Sequence, residues 1–414
     1  MKDEDKVGAM LLKMAEKKPK IFCIGMWHLG CVTAGGMHRL GFPVTCFDFE
    51  GKVIDDLSKG IFPIYEKDLP ELFTGNIAFT KDISDCADDD FIFITYDINA
   101  NGIKLEPLLD TLIKALKPYV KGKIIVVRSQ VTIGACDKLR RELGCEVCYI
   151  PENLRLGTAV ENFFHPDWLV FGLSSPSIKE KINNLFLPIQ TNKIFIGLRE
   201  AEMVKLAMNC YLATMISFSG EISDICEMHD INAISVMNAL KLDKRVSVHA
   251  PIIPGLSFSG GTIERDLNSM RKLGRANILD TVYYFNQQRR FYIKIKLELL
   301  LGDLKGKTIT FFGATYKSGT NTLRDSPTLK EISNLKDSNI KVFDPLVKEG
   351  ISQIIQKVEQ AKDSDAIVIM TDWDGWKNID YSALHPKIIL DTKGVLPSNI
   401  KHYGIGYSED QCHG

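Results

Sequence analysis

The sequence predicts an α/β protein with two Rossmann-like doubly wound domains, joined by a helical central region that contains a long helix. Residues 20 to about 195 alternate short apolar runs with amphipathic stretches, and residues 307–414 return to the same alternation. Between them, residues 199 to about 240 have apolar side chains at helical spacing and no proline, which is typical of long helices.

The predicted strands are short, and the sheet formed by the first set is expected to be mostly parallel. Further helices are expected after Asp266, through TVYYFNQQRRFYIKIKLELLL. The strands predicted from apolar runs are Phe91–Thr95, Lys123–Val127, Glu146–Ile150 and Trp168–Gly172 in the first part, and Thr308–Gly313, Ile340–Asp344, Ala366–Thr371 and Lys387–Leu390 in the last.

Length and composition bound the class of protein. A chain of 414 residues suggests two or three domains, and we place them at 1–198, 199–300 and 301–414. The net charge of −1 offers no basic field for nucleic acid or an anionic membrane. No apolar run reaches the roughly 18–20 residues of a membrane helix, and the N-terminal segment 1–20 is predicted to be a charged helix, not a signal peptide.

Ten cysteines are scattered without framework spacing, which favours a reducing cytoplasm. Cys145 and Cys148 form a lone C-x-x-C. Without a second pair, we interpret them as incidental thiols and expect no metal site.

The first strand–helix–strand unit carries the most informative pattern. The apolar run Ile21–Ile24 ends at Gly25, a helix-like segment opens at Gly30, and the run Val44–Phe47 ends in Asp48. This is the layout of a dinucleotide-binding βαβ unit, in which helix N–H groups face a pyrophosphate and the acid contacts a ribose. The residues assigned to cofactor binding here are Gly25, Trp27, His28, Leu29, Gly30 and Asp48.

One position departs from the usual G-x-G-x-x-G, because Trp27 replaces the middle glycine. A bulky indole therefore stands where the backbone should approach phosphate. The alternative is a nucleotide-free domain that uses Gly25 and Gly30 for packing. We expect NAD rather than NADP, since Asp48 would repel a 2′-phosphate and no arginine follows it closely.

Four separated segments look like parts of one site. In the fourth, Lys317 and Arg324 follow a strand and a glycine, so we expect them to bind phosphate. The segments are PENLRLGTA (151–159), with Glu152 after a strand; Lys205 and Asn209, four residues apart on one helix face; PGLSFSGGTIERD (254–266), a glycine-rich loop; and GATYKSGTNTLRDSP (313–327).

In the content and order of these motifs, the chain resembles the UDP-glucose/GDP-mannose dehydrogenase family from about residue 20 to about residue 395. Each match alone is weak, but together they span some 220 residues in the family's order. The matches are Glu202, Lys205 and Asn209 to E-x-x-K-L-x-x-N; Pro151, Glu152, Leu154, Arg155 and Gly157 to P-E-F-L-R-E-G; Gly313, Lys317, Thr320, Arg324, Ser326 and Pro327 to G-x-x-[FY]-K-x-x-T-x-D-x-R-x-[SA]-P; and Thr371–Trp376 to a T-E-W strand end.

The resemblance implies an N-terminal NAD-binding domain, a central helix used for dimerisation, and a C-terminal domain that holds the nucleotide diphosphate of a sugar, UDP-linked by expectation. It implies two successive hydride transfers that convert a sugar 6-hydroxyl into a 6-carboxylate, with a cysteine attacking the aldehyde intermediate. A homodimer is also expected because segment 199–230 has more apolar surface than one small domain needs.

The resemblance also assigns roles to residues. The catalytic set is Glu152, Lys205, Asn209, Thr262 and Asp266; Ser129 and Arg324 join the cofactor set; and the substrate set is Leu154, Arg155, Phe258, Gly260 and Lys317.

The chain departs from the family at the thiol. The family loop G-F-G-G-S-C-F-P-K-D aligns with Ser257–Asp266 and places Thr262 at the cysteine position, and no cysteine lies between Cys226 and Cys412. A threonine hydroxyl has no accessible anion near neutral pH, unlike a thiol with a pKa of about 8.5. The family's S-T-V and T-P turns also become Ser129-Gln130-Val131 and Tyr96-Asp97.

Three functions remain open at this stage. The first is NAD-dependent oxidation of a nucleotide sugar, at carbon 6 or elsewhere, by two or four electrons. The second is a redox-neutral conversion, such as epimerisation, with tightly bound NAD. The third is a non-catalytic nucleotide-sugar binder, against which the retained Lys205 and Asp266 argue, because a binder needs no proton-transfer groups.

Overall fold

The computed structural model describes residues 18–98, 104–152, 154–258, 262–315, 318–323 and 326–407. The predicted N-terminal helix lies almost entirely outside these ranges. The chain divides into two compact units, residues 1–205 and 206–414. The three-domain division with boundaries at 198 and 300 stays a prediction.

The first unit contains an eight-stranded sheet flanked by helices. Its strands are β1 (Ile21–Ile24), β2 (Val44–Phe47), β3 (Ala78–Thr80), β4 (Phe91–Ile94), β5 (Ile124–Val127), β6 (Glu146–Tyr149), β7 (Trp168–Leu173) and β8 (Asn192–Gly197). Its helices are α1 (His28–Arg39), α2 (Gly51–Leu57), α3 (Leu69–Leu72), α4 (Leu105–Leu116), α5 (Ala135–Leu143), α6 (Ala159–Phe164) and α7 (Lys179–Leu185), and α8 (Leu198–Met228) begins in this unit and ends in the next.

The strand order of this sheet is β3-β2-β1-β4-β5-β6-β7-β8, and its first six strands follow the doubly wound order. Neighbouring strands are parallel except β6 and β7, which run antiparallel. The central strands β1, β4 and β5 are buried along their whole length. Their continuous apolar runs suit a parallel sheet that helices cover on both faces.

The second unit contains a six-stranded, all-parallel sheet in the order β11-β10-β9-β12-β13-β14, which repeats the same winding. The predicted fold class is therefore confirmed. The strands are β9 (Thr308–Phe312), β10 (Asn339–Phe343), β11 (Ile354–Ile355), β12 (Ala366–Ile369), β13 (Ile388–Asp391) and β14 (Tyr403–Gly404). The helices are α9 (Ala233–Lys241), α10 (Ile263–Arg271), α11 (Asn277–Arg289), α12 (Tyr292–Leu301), α13 (Pro327–Ile332) and α14 (Tyr381–Leu384).

Several boundaries differ from the sequence prediction by one or two residues, most of them at strand ends. Gly313 was expected to end β9, but its φ of +103° takes it out of the strand. The segment ending at Asp266 was expected to be loop, whereas α10 begins at Ile263. Glu264 and Asp266 thus lie in the first helical turn, where the helix dipole favours carboxylates.

A tight turn joins β1 to α1. A Cβ atom on Gly30 would lie 1.7 Å from the carbonyl oxygen of Gly25, so only glycine permits the helix to approach the turn this closely. Gly25 itself has a φ of +98°, and a Cβ there would meet the ring of Tyr96 at 2.8 Å. The two glycines therefore fix where the first turn of α1 begins.

We expect Gly30→Ala to lower the free energy of unfolding of the first unit by about 3 kcal/mol, because the added methyl overlaps backbone that cannot move independently. Urea titration measures this change. The control is Gly51→Ala in the same unit, whose Cβ would meet only the flexible Lys81 side chain, at 3.3 Å. Equal stability of the two variants would contradict the steric argument.

Candidate functional site

The carboxyl ends of β1, β2, β4 and β5 bring the cofactor candidates to one edge of the first sheet, the edge at which doubly wound proteins bind ligands. Asp48 accepts the N–H of Met26 at 2.7 Å and that of Glu50 at 2.9 Å, one on each carboxylate oxygen. Burial raises the pKa of Asp48, and these two N–H groups oppose the shift. The remaining lone pairs can accept ribose hydroxyls, so this half of the site fits an adenosine ribose.

Trp27 does not distort the turn. Its φ of −99° is negative, so the position does not need the left-handed backbone that favours glycine. Its indole packs edge-on against the His28 ring. The backbone of the turn therefore accommodates a tryptophan at this position, while the effect of its indole on phosphate binding stays a prediction.

His28 was assigned to the cofactor, but its imidazole bonds Glu66 through Nε2 at 2.9 Å in the protein interior. Glu66 also accepts the N–H groups of Gly157 and Ala159, at 2.7 and 3.0 Å. Burial favours neutral Glu66, but these hydrogen bonds outweigh burial and lower its pKa. The pair thus ties the start of α1 to the segment after Glu152. Sequence reasoning missed Glu66, which lies in a loop without periodicity.

Asp97 is not in the predicted cofactor set, although the sequence marked Tyr96-Asp97 as a departure from the family's T-P turn. Its carboxylate accepts the N–H of Leu29 at 3.1 Å, in the first turn of α1. Tyr96 and Asp97 directly follow Thr95, whose hydroxyl donates to the carbonyl groups of Ile24 and Gly25 at 2.9 and 3.0 Å. The end of β4 is therefore held against the glycine turn.

Arg128 lies buried at the end of β5, beside the predicted Ser129. It donates to the Thr33 hydroxyl at 3.1 Å and lies over the Phe163 ring at 5.4 Å. Burial lowers the pKa of Arg128 to about 10, and the Glu152 carboxylate opposes the shift. Arg128 therefore stays charged at neutral pH, with Glu152 as its electrostatic partner.

The remaining candidates of the first unit have varied surroundings. Ser129 is buried and donates to the carbonyl of Ile94 at 3.4 Å. Leu154 packs partly buried against the core, and Arg155 is exposed. Lys205 lies on α8 and is only 7% exposed. Most lysine side chains, by contrast, are largely solvated.

Glu202, from the same helical motif, has a structural role. Its two carboxylate oxygens accept the N–H groups of Gly134 and Cys136, at 2.6 and 2.9 Å. Because these groups start α5, Glu202 caps that helix and ties it to α8. This anchors the segment of α8 that carries Lys205.

In the second unit, Asn209 of α8 meets Asp266 of α10. The Asn209 amide donates to one carboxylate oxygen of Asp266 at 2.6 Å, and Nε of Arg265 donates to the other at 2.8 Å. Asn209 and Asp266 are 5% and 3% exposed. A buried carboxylate fixed by two donors has lone pairs left to orient a water or an alcohol.

Thr262 precedes α10 as its N-cap residue, is exposed, and makes no side-chain capping hydrogen bond. Phe258 is buried beside Leu267, and its carbonyl accepts the Asn286 amide at 3.3 Å. Gly260, Lys317 and Arg324 lie outside the described residues, so their assignments stay predictions.

Cys210 is the thiol that comes near this pair, since it follows Asn209 and packs in the same cluster as Phe258. Burial, together with the Asp266 carboxylate, raises the pKa of Cys210 to about 11. It is therefore a protonated core thiol at neutral pH.

Three matches to family models cover most of the chain. Residues 19–190, 199–289 and 310–398 match, in order, the NAD binding domain, the central domain and the UDP binding domain of the UDP-glucose/GDP-mannose dehydrogenase family. The predicted resemblance is thereby confirmed, together with the enzyme class and NAD as the cofactor class.

Comparison with individual proteins shows similarity to the same family. UDP-glucose 6-dehydrogenase of Rickettsia conorii is 31% identical over 421 residues, covering 93% of this chain and 97% of that protein. A Bacillus subtilis UDP-glucose 6-dehydrogenase is 28% identical, with the same shares covered. In fold, the chain is similar to the UDP-glucose dehydrogenase of Pyrobaculum islandicum, with a TM-score of 0.85, 24% identity, and 95% and 99% of the two chains covered.

The described part of the chain contains no cluster of three or more metal-ligating side chains, and no helix in it is long and apolar enough to cross a membrane. Cys145 and Cys148 are both free and buried.

The nine cysteines of the described ranges are all buried, so we expect iodoacetamide to label none of them rapidly in the folded protein at neutral pH. For Cys210, a pKa of about 11 lowers the thiolate fraction roughly three hundredfold below that of a thiol with a pKa of about 8.5. Mass spectrometry of labelled peptides measures this, with urea-unfolded protein as the control. Fast native labelling of Cys210 would contradict the expectation and revive a thiol mechanism.

Proposed function

The chain belongs to the UDP-glucose/GDP-mannose dehydrogenase family, and from this premise we propose that it oxidises a hydroxyl of a UDP-linked sugar, at carbon 6 by family resemblance, with NAD as acceptor. The observation that carries the proposal is the buried Asn209–Asp266 pair with Arg265 on the second oxygen. A nucleotide-sugar binder has no use for a carboxylate oriented in this way.

NAD supplies the hydride acceptor when bound. Asp48 would hold the adenosine ribose, and the first turn of α1 after Gly25 would face the diphosphate. Asp48 also favours NAD over its 2′-phosphorylated form by charge repulsion.

Lys205 and Asp266 supply the proton chemistry in this proposal. As an alcohol is oxidised, negative charge develops on its oxygen, and the mostly buried Lys205 ammonium would lower the energy of that charge. Asp266, fixed by Asn209 and Arg265, would orient or deprotonate water. These groups suffice for one oxidation of an alcohol to a carbonyl.

Thr262 determines how a second oxidation would proceed. A hydroxyl without an adjacent base does not form the covalent adduct that a thiolate forms, and Cys210 is protonated. We therefore propose that any second oxidation uses the hydrated aldehyde. Water adds to the carbonyl, and the hydrate then loses one hydride to NAD and two protons to give the carboxylate.

We also propose the organisation that accompanies this activity. The chain would comprise an NAD-binding domain (1–198), a central helical domain (199–300) and a UDP-binding domain (301–414). It would act as a homodimer through α8, whose exposed Tyr211, Phe218 and Ile225 recur every seven residues. The free, buried cysteines fit a cytoplasmic protein.

The test is to incubate the purified protein with NAD and a panel of UDP-, GDP- and dTDP-sugars while following NADH absorbance and product masses. We expect NADH with a UDP-sugar. Asp266→Asn should lower kcat about a hundredfold or more, while Asp243→Asn, at a half-exposed carboxylate of the same unit, should not. Product without net NADH would favour the redox-neutral alternative, and nucleotide-sugar binding without any product would favour the binder.

Thr262→Cys is expected to shift the product towards the carboxylate. The substitution places an exposed thiol at the start of the nine-residue α10, where the helix dipole lowers a thiol pKa. The product ratio by mass spectrometry measures the shift, with Thr262→Ser as the matched control. An unchanged ratio, with the new thiol shown to react with iodoacetamide, would exclude Thr262 as the determinant.

A further inference from the structure

The first turn of α1 is already engaged by an anion that belongs to the protein. Asp97 accepts the N–H of Leu29 at 3.1 Å, and Leu29 is the second residue of this 12-residue helix. N–H groups in a first helical turn have no partner within the helix, and the helix dipole favours a negative charge beside them. The Asp97 carboxylate satisfies one of these groups.

A dinucleotide diphosphate depends on the same groups. In doubly wound domains it lies against the N-terminal turn of the helix that follows the first strand, where N–H groups point at it. The N–H of Leu29 cannot serve Asp97 and a phosphate oxygen fully at the same time. The two anions would also repel each other across a few ångströms of partly buried protein.

The other titratable groups described above at this turn are a second acid and two side chains that face other partners. Asp48 is a second carboxylate at the same turn, bonded to the N–H of Met26. Both Asp97 and Asp48 lie close enough to the helix start to raise the pKa of Cys31, after burial itself, which is the largest cause. The imidazole of His28 faces Glu66, and Arg128 is turned towards Thr33 and Phe163.

We propose that Asp97 is an internal competitor for the cofactor diphosphate and thereby sets the affinity of this chain for NAD. The inference rests on the proposed NAD-dependent function. NAD binds to the conformation in which the Asp97 carboxylate has left the N–H of Leu29. The observed Kd is then the intrinsic Kd divided by the fraction of molecules in that conformation. The adenosine ribose, held by Asp48, does not compete with Asp97.

The test is calorimetric titration of the wild type and of Asp97→Ala with NAD, ADP-ribose and adenosine. We expect Asp97→Ala to lower the Kd of NAD and of ADP-ribose about tenfold or more. The Kd of adenosine should stay unchanged, because adenosine carries no phosphate. If Asp97 had only a structural role, its substitution would change the Kd values of all three ligands in the same direction. The difference between the ligands is therefore the informative result.

Two further variants complete the design. Asp97→Asn keeps an acceptor for the Leu29 N–H but removes the charge. It should therefore tighten diphosphate binding less than Asp97→Ala does. It also allows the proposal to be tested if the alanine variant folds poorly. Asp90→Ala is the matched control. Its carboxylate accepts the N–H of Lys20 at 2.8 Å, next to the start of β4, and its removal should change no Kd.

The outcomes separate this inference from the proposed function. Unchanged or weaker NAD binding by both Asp97 variants overturns the competitor role, even where the wild type produces NADH. Tighter NAD and ADP-ribose binding by the variants supports it, even where no sugar is oxidised. Equal tightening for adenosine overturns it as well, because the diphosphate would then not be the group that Asp97 excludes.

Discussion

The approach of Gly30 to the carbonyl oxygen of Gly25 is the constraint on which the first unit depends. A Cβ atom at position 30 would lie 1.7 Å from this oxygen, so no residue other than glycine lets α1 start so close to β1. This contact determines where the first helical N–H groups point. It thereby brings the N–H of Leu29 to the end of β4 and that of Met26 to the end of β2, where Asp97 and Asp48 accept them. Backbone geometry, more than any one side chain, creates the anion-attracting turn.

The second unit contains an equivalent turn, but the carboxylate at this turn is fully buried. The N–H of Gly313 bonds the carbonyl of Phe343, as that of Gly25 bonds the carbonyl of Phe47. The N–H of Ala314 bonds Asp344 at 2.8 Å, in the position that Asp48 takes in the first unit. Asp344, however, is fully buried and also accepts the N–H groups of Leu346 and Val347. Asp48 is only partly buried and accepts two N–H groups. The same strand–turn–strand geometry therefore gives a fully buried structural carboxylate in one unit and a partly exposed carboxylate that can still accept a ligand in the other.

The sequence predicted what local pattern controls. Apolar runs such as FIFI and IIVV became the buried β4 and β5, and the proline-free stretch became α8. Contacts between residues far apart in the chain were not predictable in this way. Asp97 meets Leu29 across 68 positions, and Glu66 meets Gly157 across 91. Neither acid lies in a periodic pattern, and Asp97 stood out only as a departure from the family's T-P turn. Glu202 illustrates the reverse case, because a family motif pointed to it while the structure gives it a capping role.

The departures from the family pattern concern the cofactor turn and the thiol, while the Asn209–Asp266 pair is kept. Burying a carboxylate is unfavourable unless donors satisfy it, and here an amide and a guanidinium each donate to a separate oxygen. This arrangement would be a costly remnant in a protein without proton-transfer chemistry, because an apolar pair could fill the same space. The retained pair is therefore the reason we propose that the reacting end of the substrate still meets a base. In the proposed mechanism, replacement of the thiol by the Thr262 hydroxyl would change how far the oxidation proceeds and what captures the aldehyde, but it would leave the first hydride transfer intact.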